Sequence, residues 1–456
     1  MNRPRSARSY TPRAPAELWR LVFWHATASP TAFDVGYVPF EPLDEMRETM
    51  VYLECEALRL RTCLSLTRVC RLWRLIEAEF LYEDVRIADT RTLKSLVRAL
   101  KRSEEDGLGG FGRYIRRLEL PMRTTNFTSS SSELSPFPLP PLRTPSPAFN
   151  LGDLLRYMPR LEILVRPCLR LDMQAVYFWA SLIATPLEIL LPNLRRLEWH
   201  ETDLDTRFYG NRNTARLAEL IAHSPRLQYL FLSSDRPEIL ARLPPCRSLR
   251  TLRLNRSHFQ SHHVKNIRTP ELSFPHLTHL VLQTTMPSSL LAFLSVVGPH
   301  LRVLELAFAP QFVFSTNQMQ RILSRCPAVE DMAFYVGAPE ISALTAFTHP
   351  ALRRVHLKFN PEEWYPYKHI LKSQFAVLEG PSFPRLEEIV LHDSTRSLGH
   401  LQDEWNSRDT DRSSNFGVVM PVTIVGIVSP RGWGYMDIEG TLPRGSRRTV
   451  RTLIEQ

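Results

Sequence analysis

The chain has little of what phosphate loops, zinc sites and disulfide frameworks are made from. Only 17 of its 456 residues are glycine. Backbone-cradled phosphate sites need glycine where a ligand approaches the main chain, so few such sites are expected. The patterns G-x-x-x-x-G-K-[ST], G-x-S-x-G and H-E-x-x-H do not occur. One G-x-G-x-x-G match, Gly107–Gly112, follows a helix-like stretch and precedes the strand-like Tyr114–Leu120. A dinucleotide site needs the opposite order, so this stretch reads as a turn. The six cysteines contain no C-x-x-C pair, which argues against structural zinc and fits buried thiols in a reducing compartment. His262 and His263 are adjacent, as in a polar loop, and His392–Asp393–Ser394 are consecutive rather than convergent. No catalytic residue, cofactor or metal is therefore assigned, and the chain is not expected to be an enzyme.

Long apolar runs are missing as well. The late run Val418–Val428 is too short to span a bilayer and contains Pro421. The first residues carry charge without an apolar core, so no secretory signal is read there. A cytoplasmic or nuclear protein without a membrane partner is the expectation. The net charge of +10 is spread along the chain and comes with no nucleic-acid-reading motif, so nucleic acid is not an expected partner either.

What the chain does have is a recurring phrase, Pro-x-Leu-x-x-Leu-x-Leu. It reads SPRLQYLFL at Ser224–Leu232, FPHLTHLVL at Phe274–Leu282 and GPHLRVLEL at Gly298–Leu306. Looser copies begin at Pro159, Pro192, Cys246, Pro327, Pro350 and Pro384. Their first apolar positions are Leu161, Leu194, Leu227, Leu249, Leu277, Leu301, Val329, Leu352 and Leu386, spaced 22 to 34 residues apart. Such a period marks a solenoid, because one unit buries its apolar side only against its neighbours. The terminal Leu-x-Leu has the strand period of two. Ala215–Ala222, Ser289–Val297, Gln318–Ser324 and Ile341–Phe347 have apolar residues at helical spacing, and the prolines are expected to end these helices. Val85 and Ile87, then Thr92–Lys101, then Ile115, Leu118 and Leu120 read as an earlier strand, helix and strand. The expected fold is α/β, an irregular horseshoe with a parallel sheet on its concave face.

Residues before Glu83 do not follow the repeat. In Ala14–Ala26, Pro15 suits the start of a helix, and Leu18, Leu21, Val22 and His25 share one face. In Leu60–Val85, Leu66, Val69, Cys70, Trp73 and Ile76 form one apolar stripe. The expected organisation is a basic, disordered tail over 1–13 and a helical module over 14–83 with an insertion near 29–57. A solenoid over 84–395 follows, with a disordered Ser/Pro-rich insertion near 121–150. Residues 396–456 form a polar loop and a cap or tail.

Pro15, Glu17 and Leu18, followed by Val69, Cys70, Trp73 and Phe80–Leu81–Tyr82, resemble the F-box. Ala14 stands where that family has leucine. To about Leu391, the chain is similar to the F-box proteins with C-terminal leucine-rich repeats that abound in mushroom-forming fungi. The resemblance implies a non-catalytic, substrate-recognition subunit of a cullin-RING (SCF-type) ubiquitin ligase. Such a subunit docks to a Skp-type adaptor, which links it to a cullin scaffold, while its repeats hold an unknown target protein. On this reading Pro15, Leu18, Val22, Leu64, Val69, Cys70 and Trp73 are the adaptor-binding candidates. The alternative is a repeat scaffold outside any ligase.

Strand alternation places Tyr229, Phe231, Arg253, His279, Val281 and Tyr335 outside the core, as candidates for target binding. Arg354, His356 and Lys358 extend that face with positive charge, which suits an acidic or phosphorylated target. Ser135, Thr144 and Ser146 each precede a proline in the Ser/Pro-rich insertion. They are candidate phosphorylation sites whose phosphates would dock on Arg113, Arg116 or Arg117.

Overall fold

The computed structural model describes residues 14–27, 33–36, 57–87, 90–105, 110–120, 151–166, 189–201, 211–233, 243–255, 274–283, 288–306, 316–335, 347–359, 377–378, 380–393, 427–428, 433–434 and 454–455. The phosphorylation candidates Ser135, Thr144 and Ser146 lie outside the described residues, as do 341–346.

Helix α1 is Ala16–Thr27, α2 spans 57–66 and α3 is Arg71–Glu83. The expected single stripe over Leu60–Val85 is two helices, not one. The chain breaks at 67–70, and Cys70, in extended conformation, caps α3 by accepting the Trp73 N–H at 3.4 Å. On α1 the buried side is formed by Phe23 and Thr27, with Trp19 half-buried, and not by Leu18, Leu21 and Val22. Trp73 closes this small core, with ring centroids 4.6 Å from Trp19 and 5.1 Å from Phe23. From α2, buried Arg59 donates to Phe80 O and Asp84 O and so satisfies carbonyls at the end of α3.

The solenoid follows at once. Its strands are β1 Asp84–Arg86, β2 Arg117–Glu119, β3 Ile163–Arg166, β4 Arg196–His200, β5 Tyr229–Ser233 and β6 Thr251–Asn255. They continue as β7 His279–Gln283, β8 Val303–Leu306, β9 Asp331–Tyr335, β10 Arg354–Phe359 and β11 Glu388–Asp393. A two-residue β12, Ile427–Val428, ends the sheet. Every neighbouring pair is parallel and the spatial order is the chain order. The short strands β13, Trp433–Gly434, and β14, Ile454–Glu455, pair separately.

Among the described residues, helices pack on one face of the sheet. These are α4 Thr90–Glu105, α5 Leu151–Arg156, α6 Asn211–Ala222, α7 Ser288–Val297 and α8 Thr316–Leu323. Leu217, Leu220 and Ile221 of α6 and Leu290, Leu291 and Leu294 of α7 join one continuous core with Leu230, Leu232, Leu280 and Leu282 of the strands. A helix is about 10 Å across and strands lie about 4.8 Å apart, a mismatch that favours curvature with the sheet on the inner side.

The nine first apolar positions of the phrase are all buried, none more than 3% exposed. Each starts after a tight turn. The N–H of Leu227 donates to Ser224 O, that of Leu277 to Phe274 O and that of Leu301 to Gly298 O, at 3.1 to 3.2 Å. The prolines sit inside these turns, at the second position, where their fixed φ is already correct. Their role is thus to form the turn rather than to end a helix. Two of the buried turn residues are glycine because a backbone carbonyl of the next repeat passes close by. A Cβ on Gly112 would lie 1.8 Å from Tyr157 O, and one on Gly298 would lie 2.3 Å from Arg325 O. In the turn before Leu352, His349 does with its ring what a carbonyl does elsewhere. Its Nδ1 accepts the Leu352 N–H at 3.2 Å, and its Nε2 donates to Cys326 O at 3.0 Å.

Adjacent repeats are stitched at the strand entry. The carbonyls of Arg116, Glu162, Arg195, Gln228, Arg250, Thr278, Arg302, Glu330 and Arg353 each accept two N–H groups from the next repeat, at 2.7 to 3.1 Å. The helical module is joined to the first repeats by Arg116. This guanidinium bonds Glu83 at the end of α3 (2.9 Å) and both carboxylate oxygens of Glu162 (2.9 and 3.0 Å). Tyr82 of α3 stacks on Phe111 at 4.8 Å beside the same core.

Candidate functional site

The expected site residues fall on two surfaces. On the helical module Leu18, Val22, Leu64 and Val69 are exposed, as are Leu21, Trp24, Leu58, Leu72 and Leu75, each between 46% and 66%. Among the described residues ten large apolar side chains are exposed, and these are nine of them. Pro15 is exposed just before α1, and its carbonyl accepts the N–H groups of Leu18 and Trp19. Cys70 is exposed at the α3 cap. Trp73 differs from the rest of the set, because its ring is spent on Trp19 and Phe23 and holds the helices together. Inside the module, burial raises the Glu77 carboxyl above its ordinary value, and Cys63 and Arg59 offset this in part.

The second surface is the inner face of the sheet. Register puts Asp84, Arg117, Ile163, Arg196, Tyr229, Thr251, His279, Val303, Asp331, Arg354 and Glu388 in one row across it. A second row holds Arg86, Glu119, Val165, Glu198, Phe231, Arg253, Val281, Glu305, Ala333, His356 and Val390. All nine target-binding candidates are on these strands. Several are not the free side chains that alternation suggests. Tyr229, Phe231, Val281 and His356 are buried. The Arg196 guanidinium lies 4.5 Å from the Tyr229 ring, and Arg253 lies 4.3 Å from the Phe231 ring, whose other neighbour is His200 at 4.4 Å, edge-on. Strands about 4.8 Å apart let a long arginine cover the aromatic ring beside it. Arg253 and His279 are half-buried, and Arg354 is exposed. Burial lowers the His279 pKa, against the pull of Glu305 and Asp331. Tyr335 and Lys358 stand on β9 and β10, and their side chains lie outside the described residues.

Several charges on this face are paired in place. Arg354 forms a two-pronged pair with Asp331, both bonds 2.6 Å, and these bonds raise its pKa. Arg117 lies within 3.3 Å of Asp84 and 3.0 Å of Glu119, and Arg86 within 3.3 Å of Glu119. Of the three residues expected to give this face positive charge for an acidic or phosphorylated target, Arg354 is paired with Asp331 of β9 and His356 is buried, while the Lys358 side chain lies outside the described residues. Arg116 is likewise held by Glu83 and Glu162, and Arg113 stacks on Tyr114 at 4.7 Å. Burial acts against the Glu198 carboxylate, yet Arg196, His200 and Arg117 together outweigh it and hold the carboxyl below its ordinary range.

A feature not foreseen from the sequence is Phe33–Gly36, which falls inside the stretch read as an insertion. Val35 is buried against Ile163 and Val165 of β3. Arg196 Nη1 donates to Asp34 O at 2.9 Å and Gly36 O at 3.4 Å. The Phe33 ring lies 4.9 Å from the Arg116 guanidinium. The available signal was the alternation of Phe33 and Val35, too short to register as a strand.

Elsewhere, a groove of ≈ 540 Å³ opens at the strand-entry edge among Arg250, His276, His300 and Arg302. Among the described residues no three His, Cys, Asp or Glu side chains are grouped to hold a metal ion, and no helix is long and apolar enough to cross a membrane. The G-x-G-x-x-G stretch ends in a turn, with Gly110 at φ 71°, a short 3-10 helix Phe111–Tyr114 and then β2.

No family model matches the chain, and no curated protein matches it in sequence. Among solved structures it is similar to the leucine-rich repeat-containing protein LegL7 from Legionella pneumophila. The identity is 15% and the TM-score 0.31, over 59% of this chain and 97% of that one. The mixed α/β architecture with its parallel repeat sheet, a leucine-rich-repeat-like solenoid, rests on the register and core described above.

Proposed function

We propose that the chain is a substrate-recruiting subunit of an SCF-type ubiquitin ligase, in which the N-terminal helices dock a Skp-type adaptor and the solenoid holds the target. The observation that carries this is the concentration of exposed apolar side chains on α1–α3. A small helical module fused to a well-buried solenoid has no folding reason to leave nine large apolar groups in water. Exposed apolar surface concentrated in this way marks a docking face. The resemblance of Pro15, Leu18, Val69, Cys70 and Trp73 to the F-box supplies the identity of the partner. No chemistry is assigned to the chain itself; its contribution is to raise the local concentration of target lysines near a charged conjugating enzyme.

The test is capture of the tagged full-length chain from cells, scored for adaptor and cullin by mass spectrometry. Recovery of both supports the ligase subunit. Recovery of other proteins without the adaptor leaves the coarser reading, a repeat scaffold for protein binding. Trp73→Ala is a poor probe, because removing a packed tryptophan costs about 3–5 kcal/mol and unfolds the module. Leu64→Asp and Val69→Asp alter exposed positions and leave that packing alone.

A further inference from the structure

We propose that the inner face over β2–β4 is a peptide-reading site, and that Phe33–Gly36 occupies it in cis. Target proteins enter it with a segment of the same chemistry: an aromatic residue, an aliphatic residue two positions later, and a small residue next. The proposal rests on the solenoid as a target-binding surface and is independent of adaptor docking.

The site has three parts. The first is an apolar notch. Ile163 and Val165 stand on the inner face, where their row neighbours on β2 and β4 are Arg117, Arg196, Glu119 and Glu198. An aliphatic pair framed by charge is a poor solvent-facing surface and a good seat for one aliphatic side chain, which Val35 provides. The second is a donor fixed before the peptide arrives. Arg196 is held on one edge by Glu198, with Nε to Oε1 at 2.7 Å, and on one face by the Tyr229 ring. This leaves Nη1 aimed at the carbonyls on either side of Val35. Carbonyls are read whatever the sequence, and a preorganised donor loses little freedom on binding. The third is the Arg116 guanidinium, fixed by Glu83 and Glu162 and presented to the Phe33 ring. Asp34 contributes the bend rather than a contact to the sheet, since its Oδ1 accepts the Gly36 N–H at 2.8 Å. A Cβ on Gly36 would lie 3.0 Å from that oxygen, so the last position prefers a small residue.

Side-chain specificity thus comes from the notch and the ring platform, and register from Arg196. The cis segment is also a competitor. A tethered ligand acts at about millimolar effective concentration, so a target must displace it and binds the intact chain more weakly than its contacts allow.

The test uses a fluorescent peptide of residues 31–38, TAFDVGYV, titrated by anisotropy with three full-length chains: wild type, Val35→Asp, and the double variant Phe33→Ala/Val35→Ala. The expected result is binding at least about tenfold tighter to either variant than to wild type. A control peptide carrying Val35→Asp should not bind, and Arg196→Met added to the double variant should weaken binding by a similar factor. Folded variants that do not bind the peptide, or bind control and wild-type peptides alike, would overturn the proposal. So would failure of both segment variants to fold, because the segment would then be part of the fold and not an exchangeable ligand. Adaptor capture on the same preparations separates the two readings: peptide binding without adaptor sinks only the ligase assignment, and the reverse sinks only this one.

Discussion

Side-chain environments set the chemistry of the cysteines and of His349. Burial pushes the Cys246 and Cys326 thiols up to about 12, and Cys63 is buried too, whereas Cys70 is exposed. Native alkylation followed by peptide mapping should label Cys70 and spare those three, since the thiolate is the reactive form; fast labelling of Cys326 would contradict the packing around it. His349 is held below its ordinary value by burial, against its bond to the Cys326 carbonyl. The unfolded chain therefore takes up this proton first. Stability is complete above about pH 6.5 and falls as pH drops towards the folded value. Thermal melts across that window should show the loss, and His349→Gln, which keeps one donor and one acceptor, should reduce the slope. At Gly112 the carbonyl of Tyr157 leaves no room for a Cβ. Gly112→Ala should cost about 1–3 kcal/mol in denaturant unfolding, more than Gly110→Ala, where the strain is the positive φ alone and nothing crowds the added carbon.

Among the elements, the strands were the most legible part of the sequence. Leu-x-x-Leu-x-Leu predicts which leucines face inward, and Leu230, Leu252, Leu280 and Leu304 share one buried row. Helices α6, α7 and α8 lie within a few residues of the expected stretches because their stripes repeat at three and four. Replacing Leu280 by alanine should cost about 2–5 kcal/mol, and hydrogen exchange should report the loss in neighbouring repeats first, since each unit is held by its neighbours. Less was legible where both sides of an element are apolar. Helix α1 offers Leu18, Leu21 and Val22 on one side and Trp19 and Phe23 on the other, so periodicity alone picks no inward face. The break between α2 and α3 was hidden because the apolar spacing runs straight through Val69 and Cys70. Burial of Tyr229 and Phe231 depends on arginines of adjacent strands, a relation between repeats that alternation within one strand does not carry.

At the scale of the molecule the helical module and the solenoid form a connected unit. Arg116 bonds Glu83 of α3 and Glu162 at the entry to β3, Tyr82 stacks on Phe111, and Phe33–Gly36 crosses to β3 and β4. A partner on the exposed face of α1–α3 would therefore sit in a defined position relative to the inner sheet face, as a subunit that presents a target must arrange. The sequence showed the two halves of this arrangement but not the link, because no local pattern reveals that Val35 packs on a strand far along the chain. The most direct measurement is calorimetric titration of the purified full-length chain with a Skp-type adaptor. The account predicts binding at micromolar concentration or tighter, lost in Leu64→Asp/Val69→Asp while the melting temperature is kept. Absence of binding by the folded wild-type chain, or unchanged binding by that double variant, would contradict it.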